Sequence, residues 1–166
     1  MKDFPISPPS SLNKYYEEDI VNEVKSILLV EDNPQDEMLV LRSLRKVNLA
    51  NQVDVVRDGQ QALDYLFREA EFSGRGGSEF PAVVLLDINL PRVNGLEVLE
   101  RLRSDLRTRL LPVVILTSSD EERDRLKSYE NGANSFVRKP LDFNEFAEAV
   151  ARLGVYWLAI NIPPKG

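Results

Sequence analysis

The sequence predicts an α/β fold built on an open sheet of five parallel strands with helices on both faces. Apolar, strand-like runs alternate with helical patterns, and successive runs end 22–30 residues apart, which is about one βα unit. The first, third and fourth runs are almost continuously apolar, as expected for strands that helices cover on both sides. Five such units predict the flavodoxin-like strand order 2-1-3-4-5.

Each predicted strand ends in polar or charged residues. The strands are SILLVE (26–31), VDVVR (53–57), AVVLLD (82–87), PVVILT (112–117) and NSFVRK (134–139).

Helix signals fill the intervals between these strands. Asn33 followed by Pro34 is typical of a helix start. Second and third helices are predicted over residues 59–72 and 95–106. Apolar residues of the first helix recur at the spacing of one helix face: Met38, Leu41, Leu44 and Val47.

Two serines predict the start of the fourth helix. Ser118 and Ser119 each have a glutamate three residues later, which is a doubled capping-box pattern, and Gly132 is expected to end that helix. A fifth helix is predicted from Leu141 to about Leu158.

The chain divides into one domain and two flanking segments. Residues 1–24, rich in proline and serine near their start, are predicted to form a flexible or partly helical tail. Residues 25–155 are predicted to form the domain, and residues 156–166 a C-terminal extension. We expect no DNA-binding module after the last helix, because few residues follow it, and therefore expect output through contact with an unknown downstream protein or through a change of assembly.

Composition excludes several classes of chemistry. The 166 residues include no cysteine and no histidine, which excludes disulfides, thiolate and imidazole metal sites, and Ser-His-Asp or Cys-His catalysis. A net charge of −6 argues against binding to nucleic acid. The sequence has no apolar run that would span a membrane and no secretory signal, so we expect a cytoplasmic protein.

Three acidic residues are expected to meet at one edge of the sheet. Strand 1 ends in Glu31 and Asp32, and strand 3 ends in Asp87. In the predicted order these strands are neighbours, roughly 4.8 Å apart. Like charges this close either stay partly protonated or attract a divalent cation, and Mg²⁺ is the cation that carboxylates suit best.

A hydroxyl and a lysine are expected near these acids. Strand 4 ends in Thr117 and strand 5 in Lys139, whose side chain can lean back toward Asp87 across roughly 10 Å. Four of these five residues also have an ordinary structural explanation: Asp87 as a turn cap, Glu31 and Asp32 as a solvated turn, and Lys139 as a surface lysine. The convergence of all five at one edge favours a site.

Four motifs resemble the receiver domain of two-component response regulators. They are VEDN (30–33), LLDINLPRVNG (85–95), LTSS (116–119) and VRKP (137–140), and the resemblance covers about residues 25–155. It implies that Asp87 accepts a phosphoryl group from a sensor histidine kinase. It also implies that Asp32, Asp87 and the backbone carbonyl of Asn89 hold Mg²⁺, with Glu31 acting through a water.

The same resemblance implies roles for three further residues. Thr117 and Lys139 would bind the phosphoryl oxygens, and Phe136 would change rotamer together with Thr117.

A narrower resemblance is to the small response regulators partnered with phytochromes, many of which form homodimers. It rests on the stretch DGQQALDYLF (58–67), the loop before strand 3 and the ending VYWLAINIPP (155–164). Tyr156, Trp157 and Leu158 are the candidate dimer contact, since an exposed apolar patch suits an interface between copies. The alternative is an extension that folds back on its own core.

Other functions remain open from the residues alone. A haloacid-dehalogenase-like phosphohydrolase also uses an aspartate nucleophile with Mg²⁺, but it requires a second aspartate where this chain has Asn89. A receiver-like scaffold that is never phosphorylated is another alternative. A nucleotide or flavin site lacks support because no glycine-rich phosphate loop follows a strand.

Overall fold

The computed structural model describes residues 26–46, 52–75, 80–139 and 142–164. The predicted tail at residues 1–24 therefore lies outside the described residues. Among the described helices, none is both long and apolar enough to cross a membrane.

Five parallel strands form one sheet in the part of the chain that the structure describes. Their order is β2-β1-β3-β4-β5, which confirms the order predicted from the sequence. The strands are β1 (Ser26–Val30), β2 (Gln52–Val56), β3 (Val83–Leu86), β4 (Val113–Thr117) and β5 (Ser135–Arg138).

Helices cover both faces of this sheet. The described helices are α1 (Pro34–Lys46), α2 (Gly59–Phe67), α3 (Gly95–Ser104), α4 (Glu122–Glu130) and α5 (Phe143–Val155), with a 3₁₀ turn (Ala70–Phe72) and a π-helical turn (Tyr156–Ile160). Alternate strand residues contribute to two hydrophobic cores on opposite faces of the sheet. Leu28 packs with α2 and α3, whereas Ile27 packs with α1 and α5. The sheet is thus buried on both sides, as its continuous apolar strands require.

The second and fourth helices differ from their predicted bounds. Helix α2 ends at Phe67 because Arg68 adopts a left-handed backbone conformation with φ of 58°. The capping-box prediction is wrong, since α4 begins at Glu122 directly after Glu121, which makes no side-chain capping hydrogen bond. The Ser119 hydroxyl donates instead to the Asp124 carboxylate (2.6 Å). Gly132, with φ of 92°, follows the end of α4 as predicted.

The C-terminal extension folds back on the core. Trp157 and Leu158 are buried among residues of α1, α5 and the sheet, so the prediction that they form an exposed patch is wrong. Packing against the chain's own core removes their apolar area from water. Tyr156, Ile160 and Ile162 remain exposed, by 46%, 61% and 90%.

A glycine fixes the loop that follows β3. A Cβ on Gly95 would lie 2.0 Å from the backbone oxygen of Asp87, so a side chain cannot be placed there without moving the loop. The Gly95 N–H donates to the Ile88 carbonyl (2.8 Å), and the Asn94 side chain caps α3 by accepting from the Glu97 N–H (3.1 Å). The start of α3 therefore packs directly against the backbone of Asp87.

We expect Gly95→Ala to lower the free energy of unfolding by about 2 kcal/mol or more, because the added methyl group overlaps backbone atoms and the loop must shift to accommodate it. Urea denaturation monitored by circular dichroism measures the change. Gly74→Ala is the control, since a Cβ there meets nothing within 4 Å, and its expected cost is below about 0.5 kcal/mol. Equal stability of the two variants would contradict the close packing at Gly95.

Candidate functional site

The parallel sheet brings Glu31 and Asp87 side by side. Strands β1 and β3 are paired through Val30 and Leu86, and the two acids are the next residues along each strand. The Asp87 N–H donates to the Val30 carbonyl (3.1 Å), and the Glu31 N–H donates to the Val56 carbonyl (3.1 Å). These bonds extend the sheet pairing beyond the strands and fix the backbone of both acids.

Three carboxylates form a cluster that could hold a metal ion. One ligand oxygen each from Glu31, Asp32 and Asp87 lies within 4.8 Å of the other two, as the sequence predicts. Glu31 and Asp87 are buried, whereas Asp32 is exposed. One Asp87 oxygen accepts from the Ile88 N–H (2.7 Å), and one Glu31 oxygen accepts from the Asn33 N–H (3.1 Å). The backbone thus holds both buried carboxylates in defined orientations.

Lys139 reaches into this cluster from β5. Its backbone N–H donates to the Thr117 carbonyl (2.7 Å). Its Nζ atom lies 2.5 Å from a Glu31 oxygen, 2.9 Å from an Asp36 oxygen and 3.2 Å from an Asp87 oxygen. With only 7% of its side chain exposed, Lys139 is not a surface lysine.

For Glu31 and for Lys139, burial and the opposite charge beside the group shift the pKa in opposite directions. Burial raises the pKa of Glu31 to about 7, although the hydrogen bond and positive charge of Lys139 oppose that rise. Burial by itself would lower the pKa of Lys139, but its carboxylate partners raise it above the ordinary value. Lys139 therefore remains an ammonium, and Glu31 is harder to ionise than an exposed glutamate even with that ammonium beside it.

The sequence analysis missed Asp36. This residue lies in the first turn of α1, and its carboxylate completes the set around the Lys139 ammonium. Its signal in the sequence is its place two residues after Pro34, in the first turn of a helix that starts just beyond the carboxyl end of strand 1.

Thr117 and Phe136 project from the same face of neighbouring strands. Ile115 of β4 is paired with Phe136 of β5, and Thr117 lies two residues after Ile115. Thr117 is fully buried, and its hydroxyl oxygen accepts from the Ser119 N–H (3.3 Å). Phe136 is half-buried and lines a cleft of about 210 Å³. The predicted aromatic and hydroxyl are thus diagonal neighbours.

Asn89 lies in the loop after β3, two residues beyond Asp87, and its side chain is exposed. The loop turns sharply there, because the Leu90 N–H donates to the Ile88 carbonyl (2.9 Å).

Comparison with known proteins agrees with this arrangement. The family model of the response regulator receiver domain matches residues 27–151. The chain belongs to the response regulator receiver family. Receiver domains bind a divalent metal ion and are phosphorylated by sensor histidine kinases, and in general they are signalling proteins rather than enzymes. The match favours this family over the phosphohydrolase alternative.

Two curated relatives cover most of the chain. The probable methanogenesis regulatory protein FilR2 of Methanothrix harundinacea is 40% identical over 83% of this chain and 86% of its own length. The response regulator Rcp1 of Synechocystis is 34% identical over 86% of this chain and 95% of its own.

Solved structures share the fold. The phosphorylated cyanobacterial phytochrome response regulator RcpA has a TM-score of 0.79 and 34% identity, covering 85% of this chain and 99% of its own. The Mn²⁺-bound form of Rcp1 has a TM-score of 0.78 and 33% identity, with the same coverage of 85% and 99%. The bacteriophytochrome response regulator RtBRR is 54% identical, with a TM-score of 0.68 and 86% of each chain covered.

We expect Mn²⁺ or Mg²⁺ to raise the melting temperature of the metal-free protein by about 5 °C or more at saturation, because the ion offsets repulsion among Glu31, Asp32 and Asp87. Differential scanning calorimetry with and without the ion measures the shift. Asp32→Asn should remove most of it. Asp105→Asn should not, since Asp105 pairs with Arg107 after α3. An undiminished shift in Asp32→Asn would show that the ion binds elsewhere.

Proposed function

We propose that this chain is a response regulator that a sensor histidine kinase phosphorylates on Asp87 in the presence of Mg²⁺. One observation carries the proposal: the buried Asp87 carboxylate lies beside the Lys139 ammonium (3.2 Å) and within the cluster formed with Glu31 and Asp32. A buried carboxylate with a fixed cation beside it can serve as an oxygen nucleophile for phosphoryl transfer.

In the proposed reaction, an Asp87 carboxylate oxygen forms a bond to phosphorus as the phosphorus–nitrogen bond of the kinase phosphohistidine breaks. The imidazole leaves with the electron pair of that bond. Lys139 stabilises the negative charge on the phosphoryl oxygens, and the Ile88 N–H holds the second Asp87 oxygen (2.7 Å). Mg²⁺ bound by Asp32, Asp87 and the Asn89 carbonyl, with Glu31 acting through water, would supply further charge neutralisation.

Thr117 and Phe136 are proposed to change conformation when Asp87 is phosphorylated. The buried Thr117 hydroxyl would turn from the Ser119 N–H to a phosphoryl oxygen, and Phe136 would move into the vacated space. Phe136 also lines a cleft of about 210 Å³ with residues of the β4–α4 loop, so its ring is not enclosed on that side, which supports a change of rotamer.

A phytochrome-type kinase is the proposed partner. The support is similarity to RcpA and RtBRR, whose names describe phytochrome response regulators. The downstream partner is proposed to be another protein or a second copy of the chain.

We expect Asp87→Asn to abolish incorporation of label from ³²P-acetyl phosphate with Mg²⁺, because the amide removes the nucleophilic oxygen charge. Wild-type protein should be labelled, and Asp105→Asn should be labelled at the wild-type rate. Mixing each protein with autophosphorylated candidate kinases then tests transfer from phosphohistidine.

Full labelling of Asp87→Asn would show that another residue accepts the phosphoryl group. A wild-type chain that takes no label from acetyl phosphate or from any kinase would support the alternative of a scaffold that is never phosphorylated.

A homodimer through the C-terminal extension is the proposed assembly. Tyr156, Ile160 and Ile162 are exposed beyond α5, and Tyr156 lines an apolar cleft of about 350 Å³ together with Val137 and Leu153. Large exposed apolar side chains grouped at one end of a chain favour an interface between copies. Trp157 and Leu158, which are buried in the core, would then hold the extension in position for this interface.

We expect the double variant Ile160→Glu, Ile162→Glu to weaken dimerisation by about tenfold or more, because carboxylates at an apolar interface lose hydration without gaining a partner. Sedimentation equilibrium over a range of concentrations measures the dissociation constant. Leu106→Glu is the control, as Leu106 is 82% exposed and lies in the loop between α3 and β4. A wild-type monomer at all concentrations would overturn the proposed assembly.

A further inference from the structure

The Lys139 ammonium has one carboxylate partner outside the cluster that could hold a metal ion. Glu31 and Asp87 belong to the group of carboxylates that could hold a metal ion, whereas among the described residues Asp36 does not. Asp36 nevertheless lies 2.9 Å from the Nζ atom, closer than Asp87 at 3.2 Å.

We propose that Asp36 is a positioning residue that keeps the Lys139 ammonium at the site while Glu31 and Asp87 engage the metal and the phosphoryl group. The inference rests on the proposed function. An ammonium has three hydrogens, and those facing Glu31 and Asp87 must be redirected when these carboxylates take other partners. The bond to Asp36 can persist, so Lys139 keeps a fixed anchor.

The local structure holds Asp36 in place for this role. Asn33 caps α1, and its side-chain oxygen accepts from the N–H groups of Gln35 (2.9 Å) and Asp36 (3.1 Å). The Asn33 N–H in turn donates to Glu31 (3.1 Å), so the first turn of α1 is tied to the end of β1. The Asp36 side chain is one-third exposed, which leaves it hydrated on one side and paired with Lys139 on the other.

An acid in the first turn of a helix also has a structural role, because it interacts favourably with the helix dipole. Glu37 shares that position in α1, but its carboxylate pairs with Arg57 (2.7 Å) rather than with Lys139. Glu37→Gln therefore removes the same kind of charge from the same helical turn and serves as a matched control.

The experiment compares wild type, Asp36→Asn, Asp36→Glu and Glu37→Gln in the rate of labelling by acetyl phosphate at saturating Mg²⁺. We expect Asp36→Asn to lower the rate by about tenfold, the effect of losing one charge-assisted hydrogen bond to a catalytic cation. Asp36→Glu, which retains a carboxylate, should stay within about threefold of wild type, and Glu37→Gln within about twofold.

Two further readouts separate positioning from a general structural effect. The ¹⁵N signal of the Lys139 ammonium should broaden or disappear in Asp36→Asn and remain in Glu37→Gln, because only the first loses an anchor. The Mn²⁺ dissociation constant should change by less than about threefold in Asp36→Asn, since Asp36 lies outside the carboxylate cluster.

A wild-type labelling rate in Asp36→Asn, or an ammonium signal unchanged in that variant, would overturn the positioning role while leaving the proposed function intact. Equal losses of rate in Asp36→Asn and Glu37→Gln would likewise assign the effect to the helix dipole. A wild-type protein that takes no label would overturn the proposed function itself. Failure of the Asp36 role and failure of the proposed function therefore give different results.

Discussion

The contact between one lysine and three carboxylates is the interaction on which the candidate site depends. Lys139 comes from the end of β5, whereas its partners come from β1, α1 and β3. Two of those partners, Glu31 and Asp87, are buried, and buried carboxylates are costly unless opposite charge lies close to them. The same contact therefore neutralises the acids and joins four elements of the fold at one edge of the sheet.

The sheet determines where these charges meet. Because all five described strands are parallel, their carboxyl ends share one edge, and the order β2-β1-β3-β4-β5 makes β1 and β3 neighbours there. The backbone bonds of Glu31 and Asp87 extend the pairing past the strands, and Gly95 packs α3 against the Asp87 carbonyl. The paired backbone thus carries the two buried acids, whereas Asp32 and Asn89, which follow the same two strands, are exposed.

Strands and their order depend on long apolar runs and can be predicted from the sequence. Contacts that depend on single side chains are harder to predict. The strands, their order and the meeting of Glu31, Asp32, Asp87 and Lys139 follow from periodicity and topology. Asp36 was missed because its pattern is that of any acid in a first helical turn. The capping prediction at Ser119 failed because its hydroxyl has a nearer partner in Asp124. The burial of Trp157 depends on α1 and the sheet, which are distant in the chain.

The balance of charge connects the metal-binding and phosphoryl-accepting roles proposed for this edge. Three carboxylates, those of Glu31, Asp36 and Asp87, contact one ammonium, and Asp32 adds a fourth carboxylate beside Glu31 and Asp87. Burial raises the pKa of Glu31 to about 7. A phosphoryl group would add further negative charge to a region that already carries an excess. Lys139 alone cannot offset that charge while it is shared among three carboxylates. A divalent cation that draws on Glu31, Asp32 and Asp87 would free Lys139 to face the phosphoryl oxygens, provided that Asp36 keeps the ammonium in place.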